Sequence, residues 1–407
     1  MRVAITGLGI VSCLGQSPAE VSASLRAGKS GIGVDPERVT YGFRSPLTGV
    51  IQGFDVRAYV NRKVAKALAP AAEFAMGAAI EAVRDAGLPE DALESSGAGV
   101  IVGNDSCALP VIEAVDSVRQ SKETRQIGSG SITQVMLSSP TMNLATYFGI
   151  RGASWTLAGA CASGAHALGQ AYLLIKSGMQ DVVLAGGAQE INWPSMASFD
   201  ALGAFAKHDG DPTTAVRPFA KSRRGLVPSG GGAMLVLERL DRAVERGAKI
   251  YGELLSYAFS SDGDHLTVPS GDGAQRAMRE ALRLAKKRPG DIEYVNAHAT
   301  GTPAGDTAEG KALLAVFGPR TPPVSSTKSM TGHECWMAGA SEVIYSLLMM
   351  RDGFLAPNIN FDELEPELAG LDVVTITRDV KPRLVLSNSF GFGGTNAAIV
   401  LSACEGP

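Results

Sequence analysis

Short apolar runs closed by glycine alternate with amphipathic helical stretches along most of the chain, and this rhythm constrains the fold more than any other feature. Val100–Val102 stops at Gly103, and Val182–Ala185 stops at Gly186-Gly187. Phe74–Ala86 and Ala162–Ser177 carry small and apolar residues at helical spacing and stop at Gly87 and Gly178. Strands covered on both faces read as unbroken apolar runs and need helices packed on the sheet. The pattern therefore predicts an α/β protein with a parallel or mixed sheet.

A second series begins after Ala248. Its predicted strands are 294–296, 324–326 and 384–387, and its predicted helices are 273–286 and 338–350. Two halves, 1–250 and 251–407, are expected to share one body. The series are alike enough to suggest a duplication, although the residues do not visibly repeat. Between them Arg217–Gly232, "RPFAKSRRGLVPSGGG", is polar and basic and predicts a surface loop entering a glycine-lined turn, before strand resumes at "GAMLVLERL".

The N-terminal run Val3–Val11 ends beside Ser12-Cys13, a superficial match to a lipoprotein cleavage box. The run is marginal in length for a signal core, and Gly7 and Gly9 interrupt it. The favoured expectation is a buried strand, 2–6, followed by a glycine turn. No stretch of 18 or more apolar residues exists to cross a membrane.

Composition excludes further classes. The net charge is -4 and the basic residues are scattered, so no nucleic-acid footprint is expected. The five cysteines, Cys13, Cys107, Cys161, Cys335 and Cys404, are odd in number and form no CxxC pair. That predicts neither a disulfide framework nor a metal site, and favours a cytoplasmic location.

Four segments can carry chemistry. In "TLAGACASGAHALGQAYLL", Cys161 sits at the start of a helix among small residues that leave room for a substrate. Free backbone N–H groups and the helix dipole there favour thiolate. A buried packing cysteine is the competing reading. In "YVNAHATGTPAGDTAEG", His298 follows a short strand, and Thr300 and Thr302 could bond an amide-bearing ligand. In "SSTKSMTGHECWMAGASE", Lys328 and His333 flank a turn and Glu342 falls early in the next helix. In "SNSFGFGGTN", the glycines around Phe392, including Gly391 and Gly393, can turn sharply and offer N–H groups to an anion.

Together these segments, with "RVAITGLGIVS" at the start and "SNSFGFGGTNAAIVL" near the end, resemble the β-ketoacyl-acyl carrier protein synthases of the thiolase superfamily, especially the type I elongating enzymes of bacterial fatty-acid synthesis. The resemblance implies a thiolase-like, five-layered αβαβα fold of two similar halves. It implies that Cys161 accepts an acyl group from an acyl carrier protein, and that His298 and His333 promote decarboxylation of malonyl-carrier protein. Lys328 and Glu342 would orient His333. The N–H groups of Cys161 and Phe392 would form an oxyanion hole, with Phe392 also a gate. Thr300 and Thr302 would bind the pantetheine arm, which arrives on the carrier, so no separate cofactor is implied. Met136 or its neighbours would line the acyl pocket across a dimer interface, and Cys107 would be another pocket residue. The implied assembly is a homodimer, or a heterodimer with a chain-length factor.

Three departures stand out. The family loop Ser-Leu-Gly-Ala-Ala-Gly after the histidine is here Glu334-Cys335-Trp336-Met337-Ala338-Gly339. Ala220 and Arg224 stand where acids are common. "VGNDSCALP", with Asp105 and Cys107, replaces a glycine-rich stretch. These changes keep open a ketosynthase of a reducing type II polyketide system, such as an aryl polyene pathway. A non-catalytic chain-length factor is disfavoured by the presence of Cys161, His298 and His333. A degradative thiolase is disfavoured because Cys404 lies in no second catalytic motif.

Overall fold

A computed structural model describes residues 1–89, 91–207 and 210–404. The N-terminal half contains β1 (Val3–Val11), β2 (Ala98–Gly103), β3 (Ser154–Leu157), β4 (Val182–Gln189) and β5 (Gly231–Arg239). They lie in the order β1-β5-β4-β2-β3, with β5 antiparallel to both neighbours and the rest parallel. The C-terminal half contains β6 (Gly252–Ser261), β7 (Tyr294–Asn296), β8 (Pro323–Ser325), β9 (Leu384–Gly391) and β10 (Thr395–Ser402). Their order is β6-β10-β9-β7-β8, with the same pattern of directions. Apart from a two-residue strand, Asp372–Val373, added parallel to β8, the two sheets have one topology, which makes the suggested duplication visible although the residues do not repeat. They join where β1 pairs with β6 through Ala4–Glu253 and Ile5–Gly252.

Alternating side chains place the helices in layers. Val100, Val102, Leu184 and Val236 face α1 (Pro70–Ala86) and α2 (Ser139–Tyr147) on the outer side of the first sheet. Ile101, Val183, Ala185 and Leu237 face inward, into a core shared with Val385, Ile399 and Leu401 of the second sheet. That central layer holds α3 (Ser163–Lys176) and, after an intervening pair, the last long helix, Ala338–Asp352. The pair, α4 (Asp272–Ala285) and α5 (Pro303–Phe317), covers Val295, Leu386 and Val400 on the far face, and the last helix is accordingly α6. The result is the αβαβα sandwich of two similar halves.

Two expectations need correction. Strand β1 does not end at Thr6 in a glycine turn. It runs on to Val11, because a side chain at Gly7 or Gly9 would strike the carbonyl of Ala82 or Ala78 on α1. Those glycines let helix backbone rest on strand backbone. The segment Arg217–Gly232 is not a surface loop: Lys221 and Arg224 are exposed, but Pro218–Ala220, Arg223 and Gly225–Gly232 are buried. The two terminal nitrogens of the buried Arg223 guanidinium donate to Glu365 at 2.7 Å, Thr307 Oγ1 at 2.7 Å and the carbonyls of Ala220 and Pro303. All but Ala220 come from distant parts of the chain, so local polarity misled.

Candidate active site

The chemistry-bearing segments all leave the ends of strands and converge where the two halves meet. Cys161 lies in the turn between β3 and α3, and His298 just past β7. Lys328 and His333 follow β8, and Phe392 lies in the turn joining β9 to β10. In parallel sheets these strand ends are where ligands sit. The sulfur of Cys161 and one ring nitrogen from each of His298 and His333 lie within 4.8 Å of one another. The two rings meet edge to face with centroids 5.2 Å apart.

All three groups are buried. Among the described residues, both nitrogens of His333 and Nδ1 of His298 have no hydrogen-bond partner. Unpartnered buried polar atoms are costly and mark a place for a ligand. Burial, and then the Lys328 ammonium, hold both imidazoles well below their ordinary pKa. They are neutral near pH 7, and each has one N–H to donate.

The thiol differs from the sequence expectation. Burial pushes Cys161 up to about 11, outweighing the Lys328 charge and the N–H groups of Phe392 and Cys161 that favour the anion. The resting group is a thiol rather than a thiolate, because desolvation exceeds the pull of a helix end. Both of those N–H groups nevertheless favour the anion. Gly391 lets the β9–β10 turn approach the nucleophile turn: a Cβ there would lie 3.1 Å from the Cys161 nitrogen. Gly393 is not free to receive an anion, since its N–H donates to the Leu266 carbonyl at 2.7 Å.

Lys328 is buried and paired with the buried Glu342. The charge also reaches Glu309 and Glu334, two carboxyls that burial lifts to about 7. Glu334, the residue after His333, turns into α6, where it accepts from Tyr345 OH at 2.8 Å and Ser341 Oγ at 2.5 Å. It ties the histidine loop to a helix instead of facing substrate.

Two residues escaped the sequence reading. Glu309 accepts from the N–H groups of His298 at 3.0 Å and Ala299 at 2.7 Å, and from Asn388 Nδ2 at 3.1 Å. Asp306 accepts from Thr300 and Gly301 at 3.0 and 3.1 Å and from Phe219 at 2.8 Å. Together they hang the His298 loop from α5. Their spacing of three in "GDTAEG" places both on one helical face, a signal that was available.

A cavity of about 430 Å³ reaches the three central residues. Thr300, Thr302, Gly391 and Phe392 line it, and the two threonine hydroxyls lie 3.0 Å apart. Cys107 and Met136 are not among its lining residues. They touch each other, Cys107 Sγ lying 3.2 Å from the Met136 carbonyl, and Met136 is exposed. A second apolar cluster lies behind the sulfur: Cys161 packs with Met196, Phe205, Leu226, Cys335 and Trp336.

A buried thiol facing two neutral imidazoles at the foot of a narrow cavity is a centre for acyl-thioester chemistry, set in a duplicated α/β sandwich. Family models for the N-terminal and C-terminal domains of β-ketoacyl synthase match residues 1–243 and 251–362. The chain belongs to the β-ketoacyl synthase family. It is 43% identical, over all of both chains, to 3-oxoacyl-[acyl-carrier-protein] synthase 1 of Haemophilus influenzae. It is 41% identical to the Escherichia coli protein of that name, over 98% of each. Among solved structures it superposes on a β-ketoacyl synthase from Burkholderia phymatum with a TM-score of 0.94, at 35% identity over 99% of this chain and 100% of that one. The ishigamide ketosynthase/chain length factor gives 0.93, at 32% identity over 99% of each.

Proposed function

We propose that this protein is a 3-oxoacyl-[acyl-carrier-protein] synthase that elongates an acyl chain by decarboxylative condensation. The Cys161 sulfur attacks the thioester carbonyl of an acyl carrier protein, its proton passes to the departing carrier thiol, and an acyl-enzyme forms. Malonyl-carrier protein then enters. As carbon dioxide leaves, the electron pair of the broken bond makes an enolate, whose oxygen accepts hydrogen bonds from His298 and His333. The enolate carbon attacks the acyl-enzyme carbonyl. The tetrahedral oxyanion meets the N–H groups of Cys161 and Phe392, and collapse expels the sulfur, which recovers a proton. Two half-reactions let one site serve both carrier-bound substrates. The approach of the sulfur and both imidazoles within 4.8 Å carries this reading. Mixing the protein with acyl- and malonyl-carrier proteins tests it: 3-oxoacyl-carrier protein and carbon dioxide form, and their absence with every acyl donor would refute it.

One observation favours the polyketide alternative. The Phe199 ring has three aromatic neighbours near the sulfur: Phe205 at 6.1 Å, Trp336 at 6.1 Å and Phe392 at 6.0 Å. Flat faces suit a conjugated chain better than a flexible saturated one. If that reading holds, a dienoyl donor loads Cys161 about tenfold faster than the saturated donor of equal length, a gain on the scale of one aromatic contact. Equal rates favour the fatty-acid role.

A dimer also suits the surface. Among the described residues β3 is an edge strand with a free side, and Trp155 on it is 47% exposed. Met136, Leu137 and Tyr147 expose further apolar surface nearby in the chain. Unpaired edges with exposed apolar residues invite a second chain. Trp155→Glu is expected to convert a dimer to monomers in light scattering. A wild-type protein that runs as a monomer would remove the proposal.

A further inference from the structure

We infer that Asp105 is a positioning residue for the nucleophile: it holds the peptide before Cys161 in a strained turn and presents a negative charge beside the sulfur. The inference rests on the reading of Cys161 as the acyl-accepting thiol.

Ala160 directly precedes Cys161 and has φ of 45°. A residue with a Cβ enters this left-handed region at a cost, so something around it must hold it there. Within the turn, Ser163 Oγ accepts from the Gly159 N–H at 2.8 Å and donates to the Ala160 carbonyl at 2.6 Å, and the N–H groups of Ala162 and Ser163 donate to the carbonyls of Gly159 and Ala160 at 3.1 and 3.0 Å. The Ala160 N–H itself is held from a different segment, donating to Asp105 Oδ2 at 3.0 Å.

Asp105 sits on a segment that is itself pinned. It lies just past β2, and the preceding Asn104 donates its backbone N–H to the Leu157 carbonyl at 3.1 Å and its side-chain amide to the Leu137 carbonyl at 2.8 Å. The following Ser106 donates to Glu190 at 2.7 Å. The carboxylate therefore links the first sheet to the turn that aims the sulfur.

The charge has its own effect. Lys328 and the N–H groups of Phe392 and Cys161 favour the thiolate, whereas Asp105 opposes it. Cys335 also lies near the sulfur, and His298 and His333 face it as neutral rings. Burial is what keeps the thiol protonated, and the Asp105 carboxylate, bonded to the peptide before Cys161, adds to it in the same direction.

Two variants separate the roles. Asp105→Asn keeps an acceptor for the Ala160 N–H and removes the charge, and Asp105→Ala removes both. Alkylation of Cys161 by iodoacetamide, followed by peptide mass across a pH series, reads the charge. Acyl transfer from an octanoyl-carrier protein reads the positioning. In the unaltered protein alkylation climbs with pH. Both variants move that profile to lower pH, with alkylation about three- to tenfold faster near pH 7.5. Asp105→Asn retains acyl transfer, while Asp105→Ala loses roughly ten- to hundredfold. An unmoved alkylation profile in Asp105→Asn, or wild-type acyl transfer in a folded Asp105→Ala, overturns the inference. Failure of the unaltered protein to load Cys161 sinks the condensing-enzyme reading instead, and the alkylation profiles still judge the charge.

Discussion

Cys161→Ala is expected to lower condensation by at least about a thousandfold, as loss of a catalytic nucleophile does. No other thiol can take over. Cys335 lies near the sulfur but is fully buried, and burial holds its thiol well above the ordinary range. Cys107 is not among the residues lining the cavity. The variant keeps both imidazoles and so keeps the groups assigned to the enolate. Malonyl-carrier protein should still lose carbon dioxide while no 3-oxoacyl product appears. Substantial condensation by the alanine variant would mean that no acyl-enzyme forms at this position.

His298→Ala and His333→Ala are expected to fail in the other half-reaction. Removing one donor to a developing oxyanion costs about 10²–10³ in rate. Each variant should lose decarboxylation by that factor, while acyl transfer to Cys161 changes only severalfold. The neutral state of both rings is central here: a neutral imidazole donates one N–H and leaves no buried charge when the site is empty. Equal loss of both half-reactions would make the rings parts of the scaffold.

Much of this arrangement could be read along the chain. The glycine-closed apolar runs announced the sheets, since a strand covered on both faces must be apolar throughout. The segments around Cys161, His298 and His333 were each conspicuous, because charged or nucleophilic groups stood among small residues. Properties created by distant packing were not legible. The protonation of Cys161 follows from burial beneath two halves of the molecule, whereas the local helix end pointed to a thiolate. Arg223 looks like a surface charge until Glu365 and Thr307 surround it. Asp306 and Glu309 act through backbone N–H groups of the His298 loop, and which backbone a carboxylate will meet is a matter of tertiary placement. The departure at Asp105 was visible, but its bond to Ala160 was not.

That Cys161 carries the growing chain is tested most directly by peptide mapping after incubation with an acyl-carrier protein and no malonyl donor. The mass of the acyl group should appear on the peptide containing Cys161, and adding malonyl-carrier protein should discharge it. An acyl group found on another residue, or 3-oxoacyl product formed while Cys161 stays unmodified throughout, would contradict the mechanism.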